Sequence, residues 1–266
     1  MSERIENTFA KLRAENRAAL IPFVMGYDPD AATTSALLNA LPAAGADLIE
    51  IGIPFSDPMA DGPVIQAAGL RALKAGATLA GILALVKEFR KTHADVPIIL
   101  MGYFNPVYRY GNEKFCEDAV AAGVDGVIIV DLPPEEEQEI TPYMESFGLK
   151  LIRLIAPTSG DERMKLLADS ASGFVYYISI TGITGAKAAA VGELKTKIAH
   201  LRKFTKLPIA IGFGIKTAEQ VKQAAAISDA VVVGSALVDI IAGAKPDAKV
   251  KAATDYISEL AKVLKR

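Results

Sequence analysis

The 266-residue chain has no tryptophan, one cysteine and two histidines. A lone Cys116 cannot close an intramolecular disulfide, and its helical surroundings (Glu113 to Ala122) offer no metal-ligand spacing. His93 and His200 lie far apart, each in the last turn of a helical segment. They read as helix-end residues facing solvent, so no metal is expected. An excess of either charge is missing too: 29 Lys plus Arg against 31 Asp plus Glu. That balance lacks the positive field that a nucleic acid or an acidic membrane surface requires. No apolar run approaches the ~20 residues of a membrane span. The opening stretch, Met1 to Ala14, is polar and amphipathic rather than a signal peptide. The expectation is a soluble, cytoplasmic protein acting on a small molecule, with the plastid stroma as the alternative where a transit peptide has been removed. P-loop and dinucleotide signatures are absent as well.

What is present is a regular alternation. Short apolar runs recur at Leu20 to Val24, Asp47 to Ile53, Pro97 to Met101, Gly126 to Val130, Lys150 to Ile155, Phe174 to Ser179, Pro208 to Gly212 and Ala230 to Gly234. Between them lie stretches of helical periodicity: Ala31 to Ala44, Leu79 to Thr92, Pro134 to Phe147, Asp161 to Ser170, Lys187 to Arg202 and Ala218 to Ala226. Near-continuous apolar strands separated by helices form parallel sheets covered on both faces. Eight such units close into a (β/α)8 TIM barrel, a fold that runs to this length as one domain, here residues 1–266. An open doubly wound sheet is the alternative, less favoured because no glycine fingerprint follows the first strand. An additional N-terminal helix (Glu3 to Asn16) and a trailing one (Asp247 to Leu264) are expected to cover the barrel ends.

Two loops exceed the rest in length, one after Ile53 and one after Ser179, and both follow strand C-termini, where this fold builds its active sites. In the second strand Ile49, Ile51 and Ile53 share one face, so Leu48, Glu50 and Gly52 point into the barrel. An interior carboxylic acid has a raised pKa and suits proton transfer near neutral pH, unless a buried Lys or Arg pairs with it. No basic residue stands near it in this segment. Asp61, in the loop after the same strand, reads either as a turn former in Asp61-Gly62 or as a second catalytic carboxylate. Glycines follow the last three strands at Gly185, Gly212, Gly214 and Gly234, the last leading into Ser235. Glycines commonly end strands, but loops after strands seven and eight, with a short helix, also form the recurrent phosphate site of this barrel. No lysine occupies a strand's inward catalytic end, which argues against Schiff-base chemistry. Cofactor-free acid–base chemistry on a phosphorylated substrate is the reading that remains.

Several segments resemble one known family. Phe23-Val24-Met25-Gly26-Tyr27-Asp28-Pro29 and Ile49-Glu50-Ile51-Gly52-Ile53-Pro54-Phe55-Ser56-Asp57-Pro58-Met59-Ala60-Asp61-Gly62-Pro63 are similar to tryptophan synthase alpha subunits, the second being the family signature. Met101 to Pro106, Asp131 to Pro133, Gly182 to Gly185, Gly212 to Gly214 and Gly234 to Ala236 match further family segments in order. The resemblance implies a lyase of tryptophan biosynthesis that splits indole-3-glycerol phosphate into indole and D-glyceraldehyde 3-phosphate. It implies that Glu50 and Asp61 are catalytic, that Phe23, Leu100 and Tyr103 wall the indole pocket, and that Tyr176 and Thr184 bind substrate. Gly185, Gly214, Gly234 and Ser235 would hold the phosphate. The implied partner is a beta subunit, in an alpha2beta2 assembly, which carries pyridoxal phosphate; this chain would carry no cofactor. Pro54, Asp57, Asn105 and Pro133 are the expected contacts to it. Ile180 departs from the family, where several members have arginine. A stand-alone lyase that releases free indole would use the same residues and is the alternative.

Overall fold

The computed structural model of the chain describes residues 3–179, 188–212 and 214–264. Its strands are β1 (Ala19–Met25), β2 (Ile49–Gly52), β3 (Ile98–Gly102), β4 (Gly126–Ile129), β5 (Lys150–Leu151), β6 (Arg153–Ile155), β7 (Val175–Ile178), β8 (Ile209–Gly212) and β9 (Ala230–Val233). All pair in parallel in the order β5-β4-β3-β2-β1-β9-β8-β7-β6, a nearly closed barrel. The helices begin with α1 (Arg4–Ala14), α2 (Ala31–Ala40), α3 (Pro63–Lys74), α4 (Leu79–Phe89), α5 (Phe104–Tyr110) and α6 (Asn112–Ala122). They continue with α7 (Thr141–Phe147), α8 (Asp161–Asp169), α9 (Ala188–Leu201), α10 (Ala218–Ala225), α11 (Ser235–Gly243) and α12 (Lys249–Ala261).

Nine strands stand where eight runs were expected, because the fifth run divides at Ile152. β5 pairs with β4 and β6 pairs with β7. Ile152 N–H still donates to the Val127 carbonyl at 2.9 Å, so β5 and β6 are one strand that changes partner midway. That change is what brings the two edges of the sheet together. The expected helix Pro134 to Phe147 is also two pieces, a 3₁₀ segment Pro134–Glu139 and then α7. Pro142 sits in the first turn of α7, where a missing N–H costs nothing, so it marks a helix start, and the break falls at Ile140, which has φ −134°. Pro42 ends α2 at Ala40 rather than Ala44 because it lacks the N–H that would continue the ladder; Leu41 before it is still helical, at φ −60° and ψ −39°.

Strand alternation divides the apolar residues into two cores. Ile49, Ile51, Leu100, Val127, Ile155, Val175, Ile209 and Val231 face the helices. Ala19, Ile21, Leu48, Ile99, Ile128, Ile152, Phe174, Tyr176, Ala210, Ala230 and Val232 fill the cylinder. Ile5, Phe9 and Leu12 of α1 belong to the inner group, and the Phe9 and Phe174 rings lie 5.8 Å apart. The amphipathic first helix therefore plugs the N-terminal end, leaving the C-terminal end open for a site.

The plugged rim is tied by one motif used four times. Asp47, Asp125, Ser172 and Asp229 each donate their N–H to the carbonyl of a residue at the start of the preceding barrel strand: Leu20, Ile98, Leu151 and Ile209. The side-chain oxygen of each accepts that same residue's N–H in return, at 2.8, 2.8, 2.8 and 2.9 Å. The three aspartates are also ion-paired, Asp47 with Arg17, Asp125 with Arg4 and Arg90, and Asp229 with Arg202. Removing the Asp125 carboxylate leaves the buried Ile98 N–H without its acceptor and takes the charge partner from the largely buried Arg90 guanidinium. Asp125→Ala should therefore cost roughly 3–5 kcal/mol of stability, measured by denaturant titration; a loss below ~1 kcal/mol would show that the Arg4–Asp125–Arg90 cluster adds nothing to the rim.

Candidate active site

Above the filled lower half, the cylinder is lined differently. Glu50 sits mid-strand in β2 with 1% of its surface exposed, between Phe23 of β1 and Ile99 of β3 in register. Among the described residues its Oε1 has no hydrogen-bond partner. Burial pushes the carboxyl up to about 8 from its ordinary 4.5, with no neighbouring cation opposing the rise. Tyr176, inward on β7, has its hydroxyl driven well up by burial first and then by the charge of Glu50. The two titrating groups thus share one apolar interior. The ion-pair reading of Glu50 finds no partner there.

Glycine makes the room above them. A Cβ on Gly52 would lie 2.6 Å from Cζ of Phe23, and one on Gly212 would lie 1.9 Å from the Tyr176 hydroxyl. Gly212 is therefore a packing glycine under Tyr176, whereas the sequence grouped it with the phosphate loops. Phe23 packs between Gly52 and Gly234, whose own Cβ would meet Phe23 Cβ at 3.6 Å. The expectation for Leu100 fails. Leu100 pairs in register with Ile51 and is fully buried against the helices. Its neighbour Met101, in register with Gly52, faces the mouth of the barrel beside Phe23 and Met25. Strict alternation along β3 would have identified Met101.

Asp61 lies in the loop between β2 and α3. That loop is built by short-range bonds: Ser56 Oγ to Asp57 at 2.5 Å, Met59 N–H to the Asp57 carbonyl at 2.9 Å, and Asp61 N–H to the Pro58 carbonyl at 3.1 Å. Asp57 is a turn former, as its sequence context suggests. The Asp61 carboxylate instead accepts from the Tyr103 hydroxyl, which itself accepts the Ala60 N–H at 3.0 Å. Burial raises Asp61 and the Tyr103 bond opposes that rise. Tyr103 is held up to about 12, chiefly by burial. Gln66 Nε2, one turn into α3, donates to the Asp61 carbonyl at 2.8 Å; nothing in the sequence had singled it out.

Gly234 precedes α11 as its N-cap, and Ser235 opens the helix, whose first turn has no side-chain cap. Free first-turn N–H groups and the helix dipole favour an anion there. Gly214, at φ 76°, turns the chain after β8 in a left-handed conformation suited to glycine. At the far end of α11, Lys249 Nζ donates to the Ile241 and Ala244 carbonyls at 2.5 and 3.0 Å, so the negative end of the helix is capped by a cation. Thr184, Gly185 and the unusual Ile180 lie outside the described residues. No group of His, Cys, Asp and Glu among the described residues could hold a metal ion. His200 bonds Asp161 at 2.8 Å and His93 stacks on Phe89.

A family model described as tryptophan synthase alpha chain matches residues 9–265. The tryptophan synthase alpha chain of Acidiphilium cryptum (strain JF-5) is 54% identical over 264 residues, covering 97% of this chain and 96% of that one. That of Granulibacter bethesdensis (strain ATCC BAA-1260 / CGDNIH1) is 54% identical over 267 residues, covering 98% and 96%. Among solved structures, tryptophan synthase subunit alpha from Legionella pneumophila str. Paris superposes with a TM-score of 0.92 at 40% identity over 99% of each chain. A chain of the aminoacrylate-bound tryptophan synthase from M. tuberculosis reaches 0.88 at 34% identity, covering 99% of this chain and all of that one.

A carboxyl whose pKa is raised by folding favours the folded state while protonated. That contribution is complete below about 4.5 and is lost as pH rises through about 8. Glu50→Gln, which stays neutral, should therefore melt well above the parent at a pH about one unit beyond 8 and close to it near pH 4. Equal melting differences at the two pH values would return Glu50 to an ordinary carboxylate.

Proposed function

We propose a proton path for this chain, which belongs to the tryptophan synthase alpha chain family and, with it, is a carbon–carbon lyase cleaving indole-3-glycerol phosphate to indole and D-glyceraldehyde 3-phosphate. Glu50 starts as the neutral acid that its burial favours, and gives its proton to C3 of the indole ring. The ring becomes a cation and an electron sink, and Asp61, ionised, accepts the indole N–H and stabilises the positive charge. Glu50, now a carboxylate, takes the proton of the glycerol hydroxyl. The C–C bond breaks, its electrons return to the ring, the hydroxyl carbon becomes the aldehyde, and Glu50 ends protonated as it began. Protons and electrons balance without a cofactor in this chain. The observation that carries the reading is the buried carboxyl of Glu50 inside the cylinder, its Oε1 without a hydrogen-bond partner among the described residues.

In this proposal Phe23, Met101 and Tyr103 wall the indole, Tyr103 also orienting Asp61. Tyr176 packs beside the reacting atoms. Gly214, Gly234 and Ser235 receive the phosphate at the start of α11, together with Gly185; Thr184 closes over Asp61. Tryptophan synthase alpha chains act with a beta subunit, to which pyridoxal phosphate belongs. We propose an alpha2beta2 assembly that docks on the C-terminal face of the barrel, where Asp57, Asn105 and Pro133 are exposed and Pro54 is buried. We also read residues 1–266 as one domain and the protein as cytoplasmic; no single helix among the described residues is long and apolar enough to cross a membrane.

Glu50→Gln should abolish indole release while substrate binding stays measurable, and parental turnover in that variant would remove Glu50 from the reaction. Asp61→Asn should cost ~3 kcal/mol in kcat/KM if a developing cation is its partner; an unchanged value would return Asp61 to the turn. Because Glu50 must begin protonated, kcat/KM should fall as pH rises through about 8. A rise over that interval would mean that Glu50 begins as the base.

A further inference from the structure

Asp28 belongs to a segment, Phe23 to Pro29, of which the reading above uses only Phe23. Its carboxylate is 4% exposed and is gripped by Arg71 in a two-point fork, Nε to Oδ1 and Nη2 to Oδ2, both 2.7 Å. The two residues sit on different parts of the site. Asp28 lies in the loop after β1, fixed to the barrel rim by Gly26 N–H to the Gly52 carbonyl at 3.0 Å and by its own N–H to the Met25 carbonyl at 3.2 Å. Arg71 lies on α3, which starts two residues after Asp61. Asp61 is thus the last loop residue but one before a helix, and wherever α3 goes Asp61 follows.

Packing alone holds α3 weakly. Its fully buried residues are Ala68, Gly69 and Ala72, side chains too small to interlock deeply; Val64 and Ile65, in its first turn, pack against the same cluster but are only partly buried. They pack against Met25 and Val238, the latter on α11. α11, by contrast, is anchored by buried Ala236, Leu237 and Ile241 and by Lys249 at its C-terminal end. A charge-assisted bidentate pair fixes direction as well as distance. Asp239, on the exposed side of α11, adds its field to Arg71, so the guanidinium stands where the rim, α3 and α11 meet.

We infer that Arg71 is a positioning residue for the cleavage reaction: its fork onto Asp28 sets α3, and with it Asp61, at a fixed place relative to the phosphate-receiving start of α11. The inference rests on Asp61 acting in the reaction as proposed above. Arg71 touches no reacting atom, and its effect passes through the register of a small-residue helix. A shift of that helix leaves the anion site intact and misplaces the indole partner, so it lowers kcat and leaves phosphate affinity alone.

The test uses the full chain carrying Asp28→Asn, Arg71→Lys, Arg71→Met, the pair Asp28→Asn/Arg71→Met, and Asp61→Asn in parallel. Melting temperature, kcat and KM for indole release, and competitive inhibition by inorganic phosphate are measured well below the lowest melting temperature. Asp28→Asn and Arg71→Met should each lower kcat by roughly 10- to 100-fold with phosphate inhibition unchanged. The pair should be no worse than the poorer single variant, and Arg71→Lys should recover part of the loss. Should Arg71→Met fail to fold, Asp28→Asn and Arg71→Lys carry the same comparison. Parental kcat in these folded variants beside an inactive Asp61→Asn would overturn the inference alone, as would a loss of phosphate inhibition in step with kcat or multiplicative losses in the pair. Parental kcat in Asp61→Asn would overturn the reading of Asp61 first, and this inference with it.

Discussion

A carboxyl group held in an apolar cylinder without a counter-ion is the constraint from which the rest of the site follows. Glu50 is buried from water and no cation among the described residues neutralises it, so the group is most stable as the acid. Such a residue is tolerable only where the surrounding barrel is over-determined. The inner apolar core beneath it, the α1 plug and the four rim ties supply that rigidity. Where the chemistry needs space, bulk gives way: Gly52 and Gly212 accommodate Phe23 and Tyr176, which then enclose the interior around the acid.

The same residue type is used in opposite ways at the two ends of the molecule. Asp47, Asp125 and Asp229 at the sealed end are saturated with backbone donors and arginines, and bind strand to strand. Glu50 and Asp61 at the open end have few partners: Glu50 Oε1 has none among the described residues, and Asp61 has the Tyr103 hydroxyl. The sealed-end carboxylates are structural because both a strand N–H and an arginine already hold them. In the proposed reaction the open-end carboxylates meet the substrate, and burial raises both.

Period-two alternation made the barrel and the inward direction of Glu50 readable from the sequence, because in a strand the side-chain direction is a local property. The same rule applied to β3 points to Met101; Leu100 came from family likeness, and the register with Ile51 turns it to the helices. What could not be read was non-local. The Tyr103 hydroxyl reaches Ala60 and Asp61 across 43 and 42 positions, and Asp28 meets Arg71 across another 43. Neither contact leaves a periodic trace. The division of the fifth strand at Ile152 depends on how the cylinder closes, a property of the whole sheet. The broken helix before Phe147 was within reach, since Pro142 announces it.

The α1 plug imposes an order on assembly. Arg4 is paired with Asp125, and Phe9 rests on Phe174, so α1 leaves the ribosome well before Phe174 does, and its apolar face has nowhere to go until that residue follows. Until then Ile5, Phe9 and Leu12 are a sticky stripe on a nascent polypeptide. The polar residues that make the opening stretch amphipathic are what keep that stripe in solution while it waits.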